Sequence, residues 1–144
     1  MSVTIIGAQA VHVRAYGRPA PKGSQIAMKT KAGKPYTRSA SRHEAPWINA
    51  VRDATRNAMR HATPLEAPYR IELVFYQAKP KTPAKQWPTA NDLDKLARAT
   101  IDGLVRGKAI SDDRHVVDLH ARKEYVADPD EAGVLAIVSP AQRP

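Results

Sequence analysis

A chain of 144 residues is long enough for one domain with a real core and too short for two. It contains no cysteine, which excludes a disulfide framework, a thiolate zinc site and cysteine nucleophile chemistry. A net charge of +9 with a sequence pI near 10.0 favours a polyanionic partner, with RNA, DNA, ribosome and membrane surface all open at this point.

In chain order, the opening MSVTIIGAQAVHVRAYG has neither a basic lead nor a long apolar run. It reads as a first strand over Val3 to Tyr16 rather than a signal peptide or membrane span, so a soluble cytoplasmic protein is expected. Residues 14–42 carry Arg14, Arg18, Lys22, Lys29, Lys31, Lys34, Arg38 and Arg42 without one acid, broken by Gly17, Pro19, Pro21, Gly23, Gly33 and Pro35. This is a basic arm, loop or hairpin more than helix, with Ser24, Thr30, Tyr36, Thr37, Ser39 and Ser41 as further phosphate donors. Trp47, Ile48, Val51, Ala54, Thr55, Ala58 and Met59 then recur at helical spacing behind Pro46. Tyr69 to Gln77 reads as a strand. The following KPKTPAKQWPTA is a proline-stiffened loop in which Lys81 and Lys85 flank Trp87 as candidate DNA contacts. Trp87 itself reads first as a packing anchor and second as an indole for an unpaired base.

Asn91 or Asp92 caps a helix running to about Gly107, with the apolar stripe Leu93, Leu96, Ala97, Thr100, Ile101 and Leu104. His115 to Val126 alternates as a strand, AGVLAIVS is read as its hairpin partner across DPDE, and residues 139–144 as a loose tail. The expected architecture is one α/β domain over residues 1–144: a mixed sheet with two main helices, no repeats and no low-complexity segment.

The charge is segregated. Residues 1–90 hold 15 Lys+Arg against 4 Asp+Glu, net +11, whereas residues 91–144 hold 8 against 10, net −2. Five acids (Asp92, Asp94, Asp102, Asp112 and Asp113) crowd one window, although carboxylates repel phosphate, and a bound divalent cation removes that conflict. Magnesium takes hard oxygen ligands, usually a few carboxylates plus water and substrate phosphate. Two Asp at i, i+2 at a helix head point the same way and are favoured by the helix N-terminus. A metal there shared by phosphate and water suits phosphodiester hydrolysis. The bland alternative is a helix cap at Asp92 or Asp94, a solvent-facing Asp102 and a turn at Asp112-Asp113. The five histidines lack metal-ligand spacing, and no Walker A, GxGxxG or GxSxG sequence occurs.

DLDKLARATIDGLVRGKAISDDRHVVDLHARK resembles the signature of the RusA family of Holliday-junction resolvases; GRPAPKGS, the helix around Trp47 and the strand before Lys79-Pro80 resemble it more loosely. The resemblance implies a homodimeric, Mg²⁺-dependent endonuclease, with Mn²⁺ as a substitute, in a bacterial cell or phage-infected host. It would cut four-way DNA junctions to 5′-phosphate and 3′-hydroxyl ends in recombination and repair. It places the catalytic, metal-holding acids on Asp92, Asp94 and Asp113, with Asp102 and Asp112 as neighbours. The family's helix lysine falls on Arg98, a departure that keeps the charge but not the readily lost proton. Lys123 matches a strand lysine and is a second cation near the site. Lys22, Lys29, Lys31, Lys34 and Arg38 of the arm, with Lys81 and Lys85, are the expected DNA contacts. The alternatives are a broader flap or fork nuclease and a non-catalytic branched-DNA binder.

Overall fold

The computed structural model describes residues 10–23, 25–39, 42–82 and 86–142. The expectations for residues 3–9, Ser24, Ser41 and Lys85 lie outside the described residues, as do residues 143 and 144 of the tail.

Four strands make one mixed sheet: β1 (Val11–Tyr16), β4 (Tyr69–Ala78), β5 (Val116–Val126) and β6 (Gly133–Pro140), in the order β1-β6-β4-β5. β6 runs antiparallel to both β1 and β4, while β4 and β5 are parallel. The helices α1 (Glu44–Met59) and α2 (Leu93–Arg106) cover one face of this sheet. Alternation explains which face: Val13 and Ala15, Ile71, Leu73 and Phe75, and Val134, Ala136 and Val138 are all at most 1 % exposed and lie in register across three strands. The helices bury Trp47, Ile48, Val51, Leu96, Ile101 and Leu104 against them. A separate two-stranded ribbon, β2 (Gln25–Lys29) with β3 (Pro35–Ser39), is the hairpin form of the basic arm.

Two expectations are corrected. AGVLAIVS does not pair with the preceding strand, because β4 lies between them. The stretch from β4 through α2 to β5 is a strand–helix–strand crossover, which makes its two strands parallel neighbours. The DPDE segment is a single 3₁₀ turn over Pro129–Glu131, stapled by the Asp128 carboxylate accepting from the Asp130 N–H at 2.9 Å, and it carries the chain past β4. The tail is shorter than expected: Ser139 and Pro140 continue the β6 ladder opposite Arg70 and Tyr69.

Glycine sets the distance between the helices. A Cβ at Gly103 would fall 2.6 Å from the Val51 side chain, and one at Gly107 would fall 2.4 Å from Thr55. The two glycines, one turn apart, let α2 lie directly on α1. A hydrogen bond from Trp47 Nε1 to Thr100 Oγ1 at 3.1 Å satisfies both buried polar groups at that contact. This packing fixes the roll of α2, and so the direction in which its polar face looks.

Candidate active site and DNA interface

α2 begins beside an unusual backbone. Asn91 has φ 70°, in the left-handed region that Asn tolerates better than most residues, and its carbonyl accepts from Lys123 Nζ at 2.8 Å. A lysine on β5 therefore clasps the residue before Asp92 and fixes how the chain enters the helix. Asp92 occupies the N-cap position, yet its side chain makes no capping hydrogen bond; its contact is an exposed pair with Lys95 at 3.5 Å. Asp94, in the first turn, is exposed and has no hydrogen bond or ion pair among the described residues. Simple capping thus fails to account for either carboxylate.

Arg98 follows one turn after Asp94 on the same exposed face. No carboxylate lies within ion-pairing distance of it among the described residues. It lines a cavity of about 380 Å³ between α2 and the edge strand β5, together with Lys22, Asp102, Asp113, Val117 and Leu119. Asp113 enters this groove from a 3₁₀ turn (Asp113–His115) that leads into β5. Its neighbour Asp112 is occupied with the turn itself, accepting from the Arg114 N–H at 3.0 Å. That bond, then a hydrogen bond with Asp113 and the charges of Arg114 and His115, hold the Asp112 carboxyl below its usual range. The adjacent acids therefore do different work: one shapes the turn and the other faces the groove.

Asp102 is also accounted for. Lys22 Nζ reaches its Oδ2 at 2.9 Å and Glu44 Oε1 at 3.1 Å, while the Lys22 N–H donates to the Lys95 carbonyl at 2.9 Å. The Asp102 hydrogen bond, followed by that of Glu44, raises the Lys22 pKa against the opposing effect of burial. Lys22 was expected to meet DNA phosphate with the rest of the arm; instead its ammonium ties the base of the hairpin to both helices. Arg14 is likewise structural, its guanidinium lying over the rings of Tyr16 and Tyr76 at 4.3 and 4.8 Å.

Beyond Lys22 the ribbon projects its charge. Lys29, Lys31 and Lys34 are exposed around a turn closed by the Thr30 N–H to Lys34 carbonyl bond at 2.9 Å, where Gly33 adopts φ +86°. Arg38 lies on β3, and Lys81 is exposed beyond β4. Trp87 is 53 % exposed, which overturns its reading as a packing anchor.

The donor set Asp92, Asp94 and Asp113 has the hard-oxygen chemistry of a magnesium site. Its members stand apart: among the described residues, no three Asp, Glu or His side chains are grouped closely enough to hold one ion. Magnesium sites commonly use one or two carboxylates with substrate phosphate oxygens, and the exposed Asp92 and Asp94 are carboxylates of that chemical type. The lead-in clasp at Asn91 and the Lys22 bridge escaped sequence reasoning. An Asn directly before an acidic helix start was the available signal for the first, while the second joins residues 80 positions apart.

Exposed carboxylates at a helix head, a guanidinium in the adjoining groove and a basic ribbon on a small mixed-sheet α/β domain are in keeping with a nuclease-like class of protein. Residues 17–133 match the family model described as endodeoxyribonuclease RusA, and the chain belongs to that family. Its class of activity is therefore hydrolytic cleavage within DNA strands. No curated protein matches the chain. Among the described residues no helix is long and apolar enough to cross a membrane.

Proposed function

We propose that this protein is a divalent-metal-dependent endodeoxyribonuclease that resolves four-way DNA junctions as a homodimer, in recombination or repair. The observation that carries the reading is the open face of α2: Asp94 and Arg98 stand one turn apart, exposed and without partners among the described residues, with Asp113 in the adjoining groove. Charged groups left without structural work beside a groove are suited to a ligand.

Asp92 and Asp94 would hold the ion, with Asp113 joining when protein and DNA assemble, since the three are not grouped in the described chain. When bound, magnesium or manganese supplies Lewis-acid polarisation of the scissile phosphate and lowers the pKa of a water nucleophile. Arg98 contributes a fixed cation to a non-bridging phosphate oxygen, where charge builds in the transition state. Because a guanidinium keeps its proton, its role is electrostatic and the proton of the attacking water goes elsewhere. Lys123 holds Asn91 and thereby positions the acids. Lys29, Lys31, Lys34 and Arg38, with Lys81 and Lys85, contact the DNA backbone and leave sequence unread.

Junction specificity separates this reading from a general flap or fork nuclease. Labelled four-way junction, flap and fork substrates, each incubated with and without Mg²⁺, provide the test. Paired incisions in the junction at rates well above those on flap and fork support resolution. Equal rates on all three would make the protein a broader branched-DNA nuclease, and binding without cutting would make it a binding protein.

A further inference from the structure

α1 and α2 run parallel, as their contacts show: Trp47 meets Thr100, Val51 lies against Gly103 and Thr55 against Gly107. Both helices therefore end on the same side of the domain, and that end is basic. Arg56 and Arg60 close α1, Arg106 and Lys108 close α2, and all four are exposed. The Arg52 carbonyl lies 2.8 Å from where a Cβ at Gly107 would stand, which brings the arginine edge of α1 alongside Lys108.

Structural work accounts for few of these charges. Arg52 pairs with Asp53 at 2.9 Å, whereas Arg56, Arg60, Arg106 and Lys108 make no ion pair among the described residues. Acids at this end include Asp53 and the exposed Glu66, next to Leu65, whose N–H donates to the Ala109 carbonyl at 3.3 Å. Arg60 and Lys108 have φ 49° and 73°, left-handed positions that close a helix and usually go to glycine. The partial negative charge of a helix C-terminus favours nearby cations, and that is the role from which a ligand site has to be distinguished. Position supplies the argument for a ligand. Arg106 lines a cavity of about 260 Å³ with Asp102, Asp112 and Asp113, so the basic end continues directly into the acids of the groove. The ribbon is tied at the other end, where Lys22 reaches Glu44, the first residue of α1, and the Lys95 carbonyl in the first turn of α2. From Lys95 to Lys108 the chain rises roughly 20 Å, the length of about six base pairs, and Arg98 stands between.

We propose that Arg56, Arg60, Arg106 and Lys108 form a second DNA-backbone site, which holds the phosphates of a duplex arm on the side of the groove opposite the ribbon. The proposal rests on the nuclease reading above. Arginine and lysine side chains that reach into solvent meet phosphate oxygens, and charge spread over two helix ends positions a duplex without reading its bases. An arm held at both ends of the helix pair is fixed across Arg98, which sets the phosphate that lies beside the acids. The ribbon alone holds the DNA at one end of the groove and leaves the other free to pivot.

The test places neutral methylphosphonates one at a time along the arms of a four-way junction. Affinity is measured in EDTA for the wild type and for the triple variant Arg56→Gln, Arg60→Gln, Lys108→Gln. The wild type should show two clusters of weakened positions, one on each side of the incised phosphate. The triple variant should lose sensitivity in one cluster and keep the other, and its log–log salt slope should flatten by about 0.9 for each lost contact. Its single-turnover rate in Mg²⁺ at saturating protein should match the wild type. Arg56→Gln and Lys108→Gln singly should each lose part of the same cluster, and they carry the test if the triple variant melts early. A single cluster in the wild type overturns the second site, as does a triple variant with the wild-type profile and slope. A lower melting temperature with an unchanged slope would assign the cations to the helix ends alone. Two clusters with no cutting of any substrate in Mg²⁺ would instead remove the nuclease reading and leave the second site standing.

Discussion

Arg98 carries the sharpest residue-level consequence, because its two possible roles predict different measurements. A structural ion pair with Asp94 or Asp102 would make Arg98→Ala unstable but active. The observed geometry disfavours that role: Asp102 is engaged by Lys22, and Arg98 has no carboxylate partner among the described residues. Arg98→Ala should therefore melt close to the wild type while its single-turnover rate falls by a factor on the order of 10² or more, the scale of one lost preorganised electrostatic donor. Arg98→Lys should retain most of the rate; a normal rate in folded Arg98→Ala removes the residue from the mechanism. Lys22 should behave in the opposite way. Its pKa is raised in the folded chain above the ordinary 10.5, so its stabilising contribution is fully present below that value and lost only as pH rises through the higher folded value. Lys22→Met should thus be less stable than the wild type by on the order of 1–3 kcal/mol at pH 7 and at pH 9 in denaturant titrations. The difference should close only above 10.5; closure near neutral pH would contradict the assignment. Sequence made the acids and Arg98 legible because DLD, the four-residue step and DD are local patterns. It could not separate Lys22 from Lys29 or Lys31, since their difference lies in Asp102 and Glu44 arriving from elsewhere in the chain.

At the scale of elements, the β2–β3 ribbon and the α1–α2 contact make separate predictions. If Lys29, Lys31 and Lys34 meet phosphates, neutralising all three should weaken junction binding and flatten its salt dependence by a log–log slope of about 0.9 per lost duplex contact. An unchanged slope would return the ribbon to the status of a solvated hairpin. For the helix pair, Gly103→Ala places a methyl 2.6 Å from the Val51 side chain and should cost about 1–3 kcal/mol through overpacking. Thermal melting of Gly103→Ala alone and with Val51→Ala checks it: alanine removes the crowded Cγ1 but keeps Val51 Cβ, itself 2.6 Å away, so the second truncation should relieve the first clash only in part. The elements themselves were readable from periodicity: the helix from the acidic start to Gly107 and the strand from Tyr69 follow it closely. Pairing was harder to read. A short DPDE link suggests a hairpin, and only the crossover logic of strand, helix and strand reveals that β5 must lie beside β4.

For the molecule as a whole, the charge asymmetry seen in sequence becomes spatial: a basic ribbon projects from a body whose groove and helix head carry the acids. The edge strand β5 bears Val117 and Leu119, 63 % and 44 % exposed, beside that groove. Bare apolar edges invite pairing, which suits the proposed homodimer. Neither partner nor metal is written in a single chain, since symmetry and ligand assembly depend on contacts between molecules. The central claim, that the open acids of α2 drive metal-dependent strand cutting, is tested most directly by one measurement on a labelled four-way junction. Single-turnover cleavage in Mg²⁺ is compared for the wild type, Asp92→Asn, Asp94→Asn and Asp113→Asn, with junction affinity measured alongside in EDTA. The account predicts paired incisions by the wild type only with metal, and loss of cutting in each variant with affinity unchanged or tighter, since a charge that repels phosphate has been removed. Normal cutting by all three variants in Mg²⁺, or equal cutting by the wild type in EDTA, would contradict it.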